Sequence, residues 1–296
     1  MKQNYNLIVH CTLNIAHCTL SIAHCTLNIA HCTLIIGGFM TILTTDLDNT
    51  LIYSYKHDIG EQKRCAEIYQ GREISFITDR TYEMLRELSE RVRIIPITTR
   101  TREQYERIDL GIGGFDTALV CNGGVLIENG EENREWYEQS RRIIEKSDSE
   151  INRAIRLMEK DSEVFFEIRY IRGLFVFTKS NTPEQTAQRL KNELDSELLD
   201  IFTNGTKVYA VPKGLDKGLA LRRIRERLGA DKIIAAGDSE FDIPMLRSAD
   251  IAVCPKGLAE GEGVISCGED QLLAEFMLKA ALDITGSKQT ASEVFN

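Results

Sequence analysis

Between Thr41 and Cys254 short apolar runs alternate with segments of helical periodicity, which is how a parallel sheet flanked by helices reads. A strand is expected over 41–45, a hairpin over 64–78 turning at Gln70, Gly71 and Arg72, and a helix over 79–91. A strand over 92–98, a helix over 100–108 and a strand over 116–121 follow; the last turns at Asn122, Gly123 and Gly124 into 125–128. Later the pattern gives a helix over 217–228 stopped by Gly229, a strand over 232–236, a helix over 243–247 and a last strand over 251–254.

The stretch between these halves has a different texture. It runs helix (140–160), strand (164–169), strand (174–179), helix (183–194) and strand (199–203), with 207–211 continuing toward the core. The expected fold is therefore α/β, a Rossmann-like doubly wound parallel sheet carrying a small inserted α+β unit. An insertion whose ends return to one sheet edge can serve as a lid. The expected division is a core of 40–130 and 206–296 with a cap over 131–205.

Residues 1–39 stand apart. They carry one charged side chain, Lys2, although the whole chain has 36 basic and 45 acidic residues. They hold a seven-residue repeat, His-Cys-Thr-Leu-x-Ile-Ala, beginning at His10, His17, His24 and His31 and bringing Cys11, Cys18, Cys25 and Cys32 with it. The period sets Ile15, Cys18, Ile22, Cys25, Ile29 and Cys32 on one helical stripe, but the flanking charges of a coiled coil are missing. Adjacent His-Cys pairs also lack the short-loop spacing of a zinc site. The longest unbroken apolar stretch, 34–40, is too short to span a membrane. The expectation is a translated in-frame DNA repeat, spurious or disordered as protein, with Met40 as the working start.

A net charge of -9 argues against a nucleic-acid or anionic-membrane binder, while a 43% hydrophobic composition supports a real core. Cys65, Cys121, Cys254 and Cys267 lack paired spacing, which suits free thiols in the cytoplasm. The glycine-rich run from Gly111 to Gly114 does not join a strand to a helix and reads as a loop, not a nucleotide cradle.

The chemistry sits where strands end. Asp46 and Asp48 follow the first strand, at the carboxyl edge where open α/β sheets bind ligands. Asp238 and Asp242 follow the strand over 232–236 in the same way, across a strand-to-helix turn that begins at Gly237. Carboxylates gathered at one sheet edge repel one another and stay ionised around a cation, and an all-oxygen set favours magnesium over zinc.

These residues resemble the haloacid dehalogenase superfamily of phosphotransferases and phosphatases, whose four motifs appear in order over 41–254. Asp46, Asp48 and Thr50 are similar to the first motif. Thr98, ending a hydrophobic strand, is similar to the second, with Thr99 as its alternative. Lys217 is similar to the third, with Lys213 competing, and Gly237, Asp238 and Asp242 to the fourth. The lid between the second and third motifs resembles the cap of the branch that holds sucrose-phosphate and trehalose-phosphate phosphatases and phosphomannomutase. Asn49, where glycine is common, and Phe241, where asparagine is common, depart from the pattern.

The resemblance implies a phosphatase of small phosphorylated metabolites, sugar phosphates first. Asp46 would be its nucleophile, Asp48 its acid and base, and Thr98 and Lys217 its phosphoryl grips. Asp46, the Asp48 backbone carbonyl, Asp238 and Asp242 would hold Mg2+. Thr50, Arg100, Asn122 and Gly123 would line the phosphate side. Arg169, Tyr170, Arg172 and Lys179, on or beside the cap hairpin, would choose the substrate. A phosphomutase would use the same motifs, and a phosphate-ligand sensor would have no need of Asp48. No partner other than the small metabolite is expected: no nucleic acid and no membrane.

Overall fold

The computed structural model describes residues 39–286, so the expectations for the repeat lie outside the described residues. Strand β1 (Thr41–Thr45) is followed by β2 (Tyr53–Ser54), the hairpin β3 (Lys63–Tyr69) and β4 (Arg72–Thr78), helix α1 (Asp79–Ser89), β5 (Arg93–Pro96) and α2 (Arg102–Tyr105). Next come β6 (Thr117–Val120), β7 (Val125–Glu128), β8 (Glu131–Glu132), α3 (Arg134–Ile144) and α4 (Asp148–Glu159). β9 (Arg169–Ile171), β10 (Phe175–Lys179), α5 (Pro183–Glu193), β11 (Leu199–Asn204) and β12 (Lys207–Pro212) complete the inserted part. The chain then forms α6 (Lys217–Leu228), β13 (Lys232–Ala236), α7 (Ile243–Ser248), β14 (Ile251–Pro255), β15 (Val264–Cys267) and α8 (Leu273–Gly286).

The fold is α/β with a Rossmann-like parallel core. Five parallel strands lie in the order β15-β14-β13-β1-β5. β1 pairs with β13 on one side and β5 on the other, so the chain leaves β1 in one direction and returns on its opposite flank. That reversal opens a crevice at the carboxyl ends of β1 and β13, the place where doubly wound sheets bind ligands. Both faces of β1 are covered, Ile42 lying in one apolar cluster and Leu43 in another, which is why the strand reads as a continuous apolar run.

A second, antiparallel sheet has the order β11-β12-β10-β9. Its alternation divides it cleanly. Val176, Val208 and Ala210 face α4 and α5, whose Ile151, Met158 and Leu190 close a small core of their own. Phe175, Tyr209 and Val211 face the other way, into a cluster with Leu215 and Phe241.

Several elements differ from the sequence expectation. The segment 207–211 does not run back to the parallel sheet: β12 is a central strand of the antiparallel one, paired with β10 and β11, so that sheet extends past the expected limit at 205. The helix expected over 140–160 is two, because the buried Ser147 turns its hydroxyl to the Leu198 carbonyl at 3.0 Å and the chain resets through Glu145–Ser147. α2 starts late because Thr101 and Gln104 form a capping box, the Thr101 N–H donating to Gln104 Oε1 at 3.0 Å. β15 and α8 had no counterpart in the sequence expectation; α8 buries Leu273, Met277 and Leu278 in the core. The strand expected over 116–121 is no member of the parallel ladder: it meets the extension of β5 in an isolated bridge from Leu119 to Ile97, its own ladder being antiparallel with β7.

Cys121, Cys254 and Cys267 are buried thiols and Cys65 a half-buried one. Among the described residues no helix is long and apolar enough to cross a membrane.

Candidate active site

Asp46 is the first residue beyond β1, and its N–H donates to the Ala236 carbonyl at 2.9 Å, tying the end of β1 to the end of β13. This brings the two acidic loops together. One carboxylate oxygen from each of Asp46, Asp238 and Asp242 lies within 4.8 Å of the others. Gly237 makes the approach possible, since a Cβ there would lie 2.3 Å from that of Asp242. Asp242 Oδ2 accepts from the Asp238 N–H, the Ser239 N–H and the Ser239 hydroxyl at 3.1, 3.0 and 2.8 Å, which fixes its carboxylate. Thr50 donates to Asp238 Oδ1 at 3.0 Å.

Lys217 enters from the first turn of α6. Asp216 caps that helix by accepting from the Leu219 N–H at 2.8 Å, and Gly218 lets α6 pass close to α7, because a Cβ there would meet the Pro244 carbonyl oxygen at 2.3 Å. The Lys217 ammonium donates to Asp46 Oδ1 at 2.7 Å and to Asp242 Oδ1 at 2.6 Å. Its side chain is 1% exposed. Lys213, the competing lysine, instead pairs with Asp200 at 2.6 Å, outside the cluster.

One buried ammonium does not balance three carboxylates. Burial, with Asp242 and Asp48 adding to it against the pull of Lys217, pushes the Asp46 carboxyl up to about 8. Burial and the charge of Asp242 push Asp238 up to about 6. Asp242 and Asp46 in turn hold the Lys217 ammonium above its usual range despite burial. The surplus negative charge and the all-oxygen donor set fit a hard divalent cation.

Asp48 stands outside this cluster and is exposed. Arg100, expected to line the phosphate side, instead grips it with two hydrogen bonds of 2.8 and 2.7 Å. Desolvation pushes the Asp48 carboxyl up, but the hydrogen bonds and charge of Arg100, with Lys207 and Lys217 behind them, draw it below the usual range. The rest of the guanidinium is committed to Glu67 at 2.9 Å and to the Gln104 carbonyl at 3.2 Å. Glu67, a buried carboxylate in β3 that also accepts from Ser75 and Arg107, escaped the sequence reading, because one Glu in a half-exposed strand carries no distinguishing pattern.

The remaining expected residues take supporting positions. Thr98 is fully buried; its N–H donates to Leu119 and its hydroxyl accepts from the Arg100 N–H at 3.2 Å. Asn122 adopts a left-handed backbone and donates from Nδ2 to the Leu215 carbonyl at 2.7 Å, bracing the loop before Lys217. Gly123 lies against Ala220 of α6. In the inserted sheet Arg172 pairs with Glu132 at 2.9 Å, Arg169 pairs with Glu167, and the Tyr170 hydroxyl donates to the Gly173 carbonyl at 3.3 Å, leaving Lys179 alone of the four without a side-chain hydrogen bond among the described residues. A cleft of about 670 Å³ runs along α8, and no site residue lines it.

The chain is similar to several known proteins. The haloacid dehalogenase-like hydrolase family matches residues 113–256. That stretch, just under half of the chain, is similar to a haloacid dehalogenase-like hydrolase. Phosphoglycolate phosphatase of Methanopyrus kandleri is 27% identical over 180 residues, 60% of this chain and 75% of that protein. Phosphoglycolate phosphatase 2 of Saccharolobus solfataricus is 26% identical over 177 residues, 58% of this chain and 67% of that one. Family and relatives together assign this hydrolase to the phosphoric monoester hydrolases. In fold it is similar to the sucrose-phosphatase of Synechocystis, solved with sucrose and phosphate, at 15% identity and a TM-score of 0.59, covering 84% of this chain and 99% of that one. A Thermoplasma acidophilum protein gives 14% identity and a TM-score of 0.54 over 84% of this chain and 99% of that one.

Proposed function

We propose that this hydrolase is a magnesium-dependent phosphatase of small phosphorylated metabolites, working through an aspartyl-phosphate. The observation that carries the reading is the meeting of Asp46, Asp238 and Asp242 beside the buried Lys217. In the first step an Asp46 oxygen attacks phosphorus in line, and the bond from phosphorus to the ester oxygen breaks as Asp48 hands that oxygen a proton. In the second, Asp48 takes a proton from water, the water oxygen bonds to phosphorus, and the Asp46–phosphorus link breaks to release inorganic phosphate.

Thr98 and Lys217 hold the phosphoryl oxygens where charge develops. Thr50 steadies Asp238, while Asn122 and Gly123 seat the loop and helix that carry Lys217. Arg100 positions Asp48. Magnesium, held by the Asp46, Asp238 and Asp242 carboxylates and the Asp48 carbonyl, would supply positive charge that screens the nucleophile from the phosphate. The part over 131–205, its sheet completed by β12, acts as a cap on the core formed by the rest of 40–296. The unpaired thiols suit a reducing cytoplasm.

The test is phosphate release by the full chain from sugar, nucleotide and polyol phosphates, with magnesium or with chelator, beside Asp46→Asn. Magnesium-dependent release that is lost in the variant, without a bisphosphate primer, supports hydrolysis. Release that needs the primer supports a phosphomutase, and binding without turnover a sensor.

A further inference from the structure

The face of the antiparallel sheet turned away from α4 and α5 carries an arrangement that folding alone does not explain. Lys179 on β10 and Lys207 on β12 stand directly opposite each other in the ladder. Like charges at directly paired positions destabilise a sheet. Both lysines are half-buried, and among the described residues neither has a carboxylate partner. Their closest partners are rings: Lys179 lies 4.6 Å from the centre of Phe166 and Lys207 5.9 Å from that of Phe177. Ring faces attract a cation but leave its charge uncancelled.

The lysine pair belongs to the same face as the next rung, where Phe177 opposes Tyr209 and Tyr209 opposes Phe202. That rung reaches the catalytic loop. Phe202 and Tyr209 lie 4.4 and 5.1 Å, centre to centre, from Phe241, the residue before Asp242. The lysine face is therefore anchored beside the carboxylate cluster, and Lys207 and Asp48 feel each other's charge.

We propose that Lys179 and Lys207 form an anion subsite that recognises a second negative group, a carboxylate or a further phosphate, on the leaving group of the substrate. The proposal rests on the phosphatase reading, in which Asp48 protonates that leaving group. The group on the far side of the ester oxygen then faces the cap sheet beyond Asp48. An anion there removes the repulsion between the two ammonium groups and matches their half-buried setting. A neutral polyol in the same position leaves both charges uncancelled.

The experiment uses the full chain with magnesium and three esters of one two-carbon skeleton: 2-phosphoglycolate, 2-hydroxyethyl phosphate and ethylene glycol bisphosphate. The expected result is a kcat/KM at least about tenfold higher for an anionic ester than for the hydroxyethyl ester, a preference that collapses in Lys179→Gln/Lys207→Gln and survives in Lys207→Arg. Whichever anionic ester leads identifies the recognised group. Equal use of the three esters by the natural chain, or a preference that outlives the double substitution, overturns the subsite. Calorimetric binding of the same esters to Asp46→Asn separates the two readings. If no ester is hydrolysed the phosphatase reading falls, and the affinity ratio in natural-lysine and double-glutamine backgrounds still decides the subsite.

Discussion

Arg100 holds Asp48 through a two-pronged contact, Nε to Oδ2 at 2.8 Å and Nη2 to Oδ1 at 2.7 Å, and is itself held from behind by the buried Glu67. The fork orients the carboxylate and lowers its proton affinity in one contact. A lysine keeps the charge but not the fork. Arg100→Lys is expected to lower kcat about tenfold with a smaller change in KM. The limb of the pH–rate profile that reports Asp48 should move to higher pH, since the draw of Arg100 is weakened while desolvation still acts. A profile that keeps its shape and position would detach Arg100 from Asp48's role.

Lys217 and its two carboxylates form a buried triad with no water-exposed member of note. Lys217→Met removes the only ammonium from the cluster and leaves Asp46 and Asp242 facing each other. Breaking a buried pair by deleting one partner costs about 3–5 kcal/mol. Urea unfolding in chelator should show a loss of that order. Added magnesium should recover part of the stability while phosphate release stays absent.

The parallel core was readable because β1 and β13 are apolar runs that end in acidic loops, and the register then brings those loops together. Asp46, Asp238 and Asp242 were thus legible as a group. The hold of Arg100 on Asp48 was not, because Asp48 and Arg100 are 52 positions apart and Glu67 belongs to a hairpin whose alternation says nothing of what its polar residues face. β12 was misassigned for a related reason: Lys207–Pro212 is an apolar run that suits either sheet, and only pairing with β10 and β11 decides between them. The lysine pair followed β12 out of view.

The carboxylate cluster should make stability depend on pH in a direction opposite to the usual one. Asp46 and Asp238 are pushed up from 3.8 to about 8 and about 6, so between about pH 4 and 8 the native chain holds protons that the unfolded chain has released. Without a divalent cation these groups therefore reduce stability as pH rises through that window. Thermal melts in chelator at about pH 5 and about pH 8 should show the midpoint falling, and less so in Asp46→Asn. Magnesium replaces those protons, so its stabilising effect should be larger at the higher pH. An equal gain at both values would mean that the ion does not bind to these carboxylates.

Phe241 occupies a position where asparagine is common in the resembling branch, and here it is 7% exposed between Phe202 and Tyr209. The ring joins the loop that carries Asp242 to the sheet that carries Lys207, so one side chain serves both. Phe241→Asn removes most of the buried ring and adds a polar group that the surrounding apolar cluster does not satisfy. Truncating a buried Phe typically costs about 3–5 kcal/mol, and urea unfolding should register a loss in that range. Asp242 keeps its own three hydrogen bonds from Asp238 and Ser239, so the carboxylate cluster itself is not dismantled. The kinetic effect should then fall more on KM than on kcat, because the cap face loses its anchor before the nucleophile loses its geometry. A variant as stable as the natural chain would show that the aromatic contact does not tie the sheet to the loop.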